Sequence, residues 1–280
     1  MYCTDFIFDD NYLSEYNAVI CNITIDSTGF QIEDIGSVIT FNTVNNLATG
    51  KSRLVSAQYD NMYTTNFQIA KLDCTGQEVF FDSEQIVQIR RWLGQKEFKK
   101  FRPFYENAEY PELYYIGSFT SVQPIVINGG VIGFDLTFNA NAPYGFLEPF
   151  THTFSFSEGG GDFEIWNHSD ELGYLYCKIT LEDIGSIEEP IIITNKTINK
   201  KTVVTNYADN NTIIIDGENK IIMQTTEDLD GSYTKKLMNG FNYVFPQIYN
   251  DLESRVNKFN INTACTITLE YTPISKNGAI

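Results

Sequence analysis

The cleanest alternation of apolar and polar positions runs from Val131 to Asn139. Ile132, Phe134, Leu136 and Phe138 fall on one side, and Gly133, Asp135, Thr137 and Asn139 on the other. A period of two with one apolar face predicts a half-buried antiparallel strand. Near the other end, Cys265, Ile267, Leu269 and Tyr271 alternate in the same way with Thr266, Thr268 and Glu270. Shorter strand-like runs precede the first of these: Thr4–Phe8, Ala18–Ile25 broken by Gly29, Val38–Val44, Leu54–Tyr59, Asn66–Leu72, Leu113–Phe119 and Ser121–Ile127. Val38–Val44 and Leu54–Tyr59 flank an exposed turn, Asn45–Ser52, and read as a hairpin. It is either an ordinary connection inside a sheet or an arm that reaches a neighbouring subunit.

The chain restarts after the Asn141–Gly145 turn. Strands are expected at Thr151–Ser157, Phe163–Asn167, Tyr174–Leu181, Pro190–Asn195, Thr202–Asn206, Thr212–Asp216 and Lys220–Thr225, with Asp216-Gly217 in a hairpin turn. Short strands at regular spacing with turn residues between them imply a β-sandwich. The expected division is 1–145 and 146–280, with a loose polar tail from residue 272.

One segment breaks the strand pattern. Ile86, Ile89 and Leu93 fall at helical spacing, and Trp92 follows Ile89 by one turn. Asp82 is placed to cap this helix, Gln85 to reach back in a capping box, and Gly94 to end it in a left-handed conformation. Three turns are marginal alone, so the helix is expected to lie on a sheet. Downstream, Phe98, Phe101, Phe104 and Tyr105 are interleaved with basic residues.

Composition narrows the function. Tyr (17) and Phe (21) favour strands, and the net charge of −17 excludes nucleic-acid binding by charge. Met1–Asp10 is acidic and mixed, unlike a signal peptide, and no run is long enough to cross a membrane. Cys3, Cys21, Cys74, Cys177 and Cys265 lie too far apart for a metal knuckle or redox pair, so free thiols made in a reducing cytosol are expected.

Candidate chemistry is sparse. His152 and His168 have no ligand spacing, and Gly159-Gly160-Gly161 lacks the lysine and helix of a phosphate loop. The pairs Asp9-Asp10, Glu33-Asp34 and Glu188-Glu189 read as solvated surface. No catalytic residue, cofactor or metal is assigned. Trp166, Tyr174 and Tyr207 are candidates for stacking on sugar rings, against the plainer reading of aromatic core. The basic cluster Arg90, Arg91, Lys96, Lys99, Lys100 and Arg102, with Trp92 among it, is the candidate subunit interface. In a closed ring it would face acids such as Asp5, Asp9, Asp10 and Glu15 of the next copy. The plainer reading is a solvated back on a sheet-covering helix.

Several features occur together in order: Arg91-Trp92-Leu93 ending the helix, Tyr114-Tyr115, the alternating strand into Ala142-Pro143-Tyr144, Asn167-His168-Ser169-Asp170, Ile191–Asn195, the Thr212–Ile222 hairpin and Asn239-Gly240-Phe241-Asn242. In this the chain resembles the distal tail proteins of long-tailed bacteriophages with non-contractile tails, over nearly its whole length. It departs at Asp251–Asn262, where relatives often carry a Pro-Gly-x-Asn turn. The resemblance implies a mainly β fold: a first domain with one helix that assembles as a hexameric ring, and an outer galectin-like or carbohydrate-module-like sandwich. It implies a ring at the virion's tail tip, joining the tail tube protein to the tip protein. Receptor-binding proteins or host glycans would be further partners, and no catalysis is implied. Six copies would carry a charge on the order of −100, so a bore would repel DNA rather than hold it. The competing readings are a carbohydrate-binding protein acting through its second half and a glycan hydrolase on a sandwich.

Overall fold

The computed structural model describes residues 3–21, 39–46, 50–59, 61–71, 79–105, 113–157, 159–185, 190–205, 207, 212–225, 233–236 and 238–276. The sequence readings at Asn22–Gly29, Glu33-Asp34 and Glu188-Glu189 lie outside them. The chain divides into two units, Met1–Leu147 with Ser275–Ile280, and Glu148–Ile274. Both are mainly β, with one α-helix among the described residues.

The first unit contains β1 (Cys3–Phe8), β2 (Asn11–Tyr12), β3 (Ala18–Cys21), β4 (Ile39–Asn46), β5 (Lys51–Tyr59), β6 (Thr64–Lys71), α1 (Ser83–Leu93), β7 (Lys99–Tyr105), β8 (Tyr115–Ile127), β9 (Gly130–Ala140) and β10 (Gly145–Phe146). Seven strands form an antiparallel sheet in the order β2-β1-β7-β8-β9-β6-β3. β9 buries Ile132, Phe134, Leu136 and Phe138 and exposes Asp135, as its period of two requires. Ile89, Trp92 and Leu93 of α1 share one core with Phe134, Leu136 and Phe138. The capping box is present: Asp82 Oδ1 accepts from the Gln85 N–H at 2.8 Å, and Gln85 Oε1 accepts from the Asp82 N–H at 3.2 Å.

Three local expectations are corrected, and one stretch that had no assignment gains one. Gly94 ends the helix at φ −82°, not left-handed; a Cβ there would lie 2.5 Å from the Arg90 carbonyl oxygen, so close approach selects the glycine. Tyr115–Phe119 and Ser121–Ile127 belong to one strand, β8, whose register against β9 slips between Phe119 and Ser121 as a bulge. The aromatic and basic stretch after the helix is β7, which pairs Phe101 with Phe8 and with Tyr115. Asn45, Asn46, Lys51 and Ser52 are strand rather than turn: Ser52 Oγ donates to Asn45 Oδ1 at 2.6 Å, and the ladder runs on to the Asn46–Lys51 pair.

β4 and β5 pair only with each other. The side chains of β5 are exposed on both faces from Lys51 to Gln58. This is a two-stranded ribbon that does not belong to the sheet.

The second unit contains β11 (Phe150–Phe156), β12 (Gly161–Trp166), β13 (Gly173–Tyr176), β14 (Lys178–Glu182), β15 (Ile191–Asn195), β16 (Lys200–Val204), β17 (Thr212–Asp216), β18 (Ile221–Thr225), β19 (Tyr233–Lys236), β20 (Gln247–Asn250), β21 (Val256–Ile261) and β22 (Cys265–Tyr271). They form a six-stranded sheet, β11-β22-β14-β17-β18-β19, a four-stranded sheet, β12-β21-β15-β16, and a β13-β20 ribbon. Inward residues of the two larger sheets make one core: Ile179, Leu181, Ile213, Ile215, Ile267 and Leu269 from one, Phe163, Ile165, Ile191, Ile193, Phe259 and Ile261 from the other. Strictly alternating burial along β22 places Cys265 and Tyr271 in it. The tail expected to be loose from residue 272 is held at Ile274, which is buried: its N–H donates to Ser169 Oγ at 3.1 Å, and its carbonyl accepts from the Asp170 N–H.

Candidate functional site

The basic cluster divides according to the element that carries each residue. Arg90 and Arg91 sit in the last turn of α1, where cations meet the negative end of the helix dipole, and both are exposed. Lys96 is exposed beyond the helix. None of these three makes an ion pair among the described residues. Lys99, Lys100 and Arg102 lie on β7 and are half-buried. The Lys99 ammonium is 3.4 Å from Asp9 and 3.3 Å from Glu97. The Lys100 ammonium sits 4.0 Å over the Tyr114 ring. Arg102 pairs in register with Ile7 of β1.

The acid expected on a neighbouring copy therefore meets its base within the same chain. Asp9 accepts from Gln95 Nε2 at 2.9 Å and from Lys99, and these hold its carboxyl below the usual carboxylate range. Glu97 first, and then Asp9, hold the Lys99 ammonium above its ordinary value. Asp10 and Glu15 remain exposed.

Trp92 is corrected outright as an interface residue. It is 5% exposed, stacked against Tyr16 at 4.5 Å and Phe6 at 5.5 Å. A ring so enclosed positions the helix and has no surface to offer another copy.

The β4–β5 ribbon does offer such a surface. Ile39, Phe41, Val44, Leu54 and Val55 are large, apolar and exposed, Phe41 at 60% and Val55 at 64%. An isolated two-stranded ribbon is at best marginal in water, so an apolar one needs a partner surface.

In the second unit the three sugar-stacking candidates separate. Tyr207 is 9% exposed and belongs to the core, which corrects its assignment. Trp166, at the end of β12, and Tyr174, on β13, are exposed. Tyr174 does not stand alone. Tyr176 is exposed two positions on, and pairing with β20 sets Tyr249 opposite Tyr174 and Gln247 opposite Tyr176. Lys200 lies 4.8 Å over Tyr174, and Lys220 lies over Tyr176. Sequence reading missed Tyr176, Lys200, Lys220 and Gln247; the period-two Tyr174-Leu175-Tyr176 was the one local signal for this face.

The histidines join an aromatic stack. His168 is 4.3 Å from the Phe150 ring, and His152 flanks Tyr271 at 6.4 Å. Burial, with His152 and Arg255 nearby, pushes the His168 imidazole below its ordinary value.

A strand-built chain with an apolar arm and a separate sandwich has the makeup of an assembly component. Its sequence matches a phage tail protein N-terminal domain over residues 1–142 and a phage tail C-terminal domain over residues 144–271. The chain belongs to this phage tail protein family. Its fold is similar to that of the SPP1 Dit protein, described with its crystal structure as a paradigm of the hub adsorption apparatus of phages infecting Gram-positive hosts. The TM-score is 0.63 at 11% identity, over 97% of this chain and 99% of that one. A chain of the phage P2 baseplate in its activated conformation with calcium matches at a TM-score of 0.49 and 10% identity, over 97% and 98%. No curated protein matches the sequence.

Proposed function

We propose that this chain is a structural hub at the distal end of a phage tail. Its first unit closes with five further copies into a ring whose open channel passes DNA. The ring joins the tail tube protein to the tip protein and the adhesion apparatus. The observation that carries this reading is the β4–β5 ribbon. It is apolar and exposed on both faces, and in a ring each ribbon has a neighbouring copy to lie on. Membership of the phage tail protein family and likeness of fold to the Dit protein support it. The role needs no catalysis, and the second unit is read as a galectin-like module on the outside. The division of labour follows the proposed domains, 1–145 for the ring and 146–280 for the outer module.

The test is the mass of the purified protein by light scattering, with negative-stain images. Wild type is expected as a sixfold ring. Phe41→Ser with Val55→Ser is expected to be monomeric with an unchanged circular dichroism spectrum. A wild type that stays monomeric and fails to dock on tail intermediates would end the proposal. A second reading, a carbohydrate-binding protein acting through the second unit, is favoured by the exposed Tyr174 and Tyr176 beside two lysines.

A further inference from the structure

We infer that the β13–β20 ribbon of the second unit is a binding site for an anionic glycan, a polymer of sugar or polyol units joined through phosphate. The inference deepens the carbohydrate-binding reading and does not depend on ring closure.

The ribbon has two unlike faces. Leu175 and Ile248 pack into the sandwich core. Alternation turns Tyr174 and Tyr176 the other way, with Tyr249 and Gln247 opposite them. Tyr174 and Tyr249 lie with ring centroids 5.0 Å apart. Tyr174 is 59% exposed, and exposed rings with polar tips suit the C–H faces of a sugar.

Two ammonium groups, one at the start of β16 and one in the β17–β18 turn, converge on this face. Lys200 donates to Gln247 Oε1 at 2.7 Å and stands over Tyr174. Lys220 donates to the Gly217 carbonyl at 2.6 Å and stands over Tyr176 and, at 5.1 Å, Phe245. Their partners are neutral oxygens and ring faces, and neither makes an ion pair among the described residues. No carboxylate among the described residues neutralises either of them, in a chain where 36 acids outnumber 19 bases. A neutral glycan has no use for two cations here, whereas a phosphate-linked one does. The Tyr176 hydroxyl is held below its ordinary value, first by Lys220, as a phenol bonded to an ammonium should be.

The arrangement is built into the fold. Buried Asn195 donates from Nδ2 to the Gln247 carbonyl at 2.7 Å and accepts at Oδ1 from the Thr197 N–H, so it ties the turn before Lys200 to the ribbon. Gly217 brings the other turn so close that a Cβ would lie 2.7 Å from the Cys177 carbonyl oxygen. Lys220 itself holds a left-handed backbone, φ 56°, which is unfavourable for a residue with a Cβ. A single-stranded nucleic acid is also a phosphate-linked chain that stacks on tyrosines, and charge does not separate the two, so it is one of the outcomes that the titration decides.

The test is calorimetric titration of the full chain with a glucosylated glycerol-phosphate hexamer, maltohexaose and hexathymidylate. The phosphate hexamer is expected to bind saturably and to weaken with added salt. Tyr174→Ala and, separately, Lys200→Gln with Lys220→Gln should each cost about tenfold in affinity. Tyr174→Phe should keep it. No saturable binding at millimolar hexamer, undiminished binding by the double lysine variant, or tighter binding of maltohexaose or hexathymidylate would each overturn the inference. The Phe41→Ser, Val55→Ser monomer should bind as wild type does, which keeps the failure of the ring distinct from the failure of this site.

Discussion

The indole N–H of Trp92 donates to the main-chain carbonyl of Phe8 at 2.7 Å, a buried bond between residues 84 positions apart. It fixes the end of α1 to β1. Trp92→Phe keeps most of the apolar contact and leaves the buried carbonyl without this donor, a cost of about 1–3 kcal/mol. For a unit of this size that is about 2–4 °C of melting temperature per kcal/mol, read by calorimetry of the full chain. An unchanged first-unit transition would show that the bond contributes nothing.

Asp9 and Lys99 give the first unit a pH signature. A carboxyl held below its ordinary value adds stability while ionised, above about pH 4, and loses it as pH falls through the folded value. Lys99 has the opposite sign: its raised value adds stability that is full below about pH 10 and fades above the folded value. The Asp9 side chain is about one-third exposed, so solvent screening limits its share to less than about 1 kcal/mol. Melting curves from pH 2.5 to 5 should fall less steeply for Asp9→Asn than for wild type. Parallel curves would remove the pair from the acid response.

The division of the basic cluster predicts a division of phenotypes. Arg90→Glu with Arg91→Glu changes exposed charges and should move monomer stability by no more than about 0.5 kcal/mol. If this face meets an acidic neighbour, the pair should shift the assembly toward monomer at low salt, with a smaller effect at high salt. Lys99→Glu should instead lower the melting temperature, because it places a third carboxylate beside Asp9 and Glu97. Light scattering beside calorimetry separates the two. Identical behaviour of both variants would dissolve the distinction.

What the sequence could and could not reveal follows from the range of each interaction. β9, β22 and the Asp82–Gln85 capping box were legible because each is written within a few adjacent residues. The arm was legible as a hairpin, but its length was not, since Asn45 and Ser52 look like turn residues until they bond across the ladder. The Lys99–Asp9 pair joins β7 to the turn after β1, far apart in the chain, and no local spacing announces it. Tyr174 lies between Gly173 and Leu175 and Tyr207 follows Asn206, yet Tyr207 is the one in the core, and only the sandwich decides that. The lysine-flanked tyrosine face needs both strands of one ribbon and the segments that carry Lys200 and Lys220, so four segments had to be placed before it could be seen.

Gly217 tests how tightly that face is held. Its N–H donates to the Cys177 carbonyl at 3.0 Å, and a Cβ would meet both that oxygen and, at 2.8 Å, the Pro246 carbonyl. Both obstacles are backbone, so Gly217→Ala must push the β17–β18 turn away, at about 1–3 kcal/mol. Cys177 lies directly beneath. Its thiol is buried, and burial holds it far above the ordinary cysteine range, so the native protein should leave it unlabelled by iodoacetamide at pH 8. Site-resolved mass spectrometry should find Cys177 labelled faster in Gly217→Ala, while Cys265, buried on β22 and with its thiol pushed up to about 11, stays protected. Equal rates at Cys177 in the two proteins would mean that the turn can take a side chain without moving, and that glycine is not what brings Lys220 onto Tyr176.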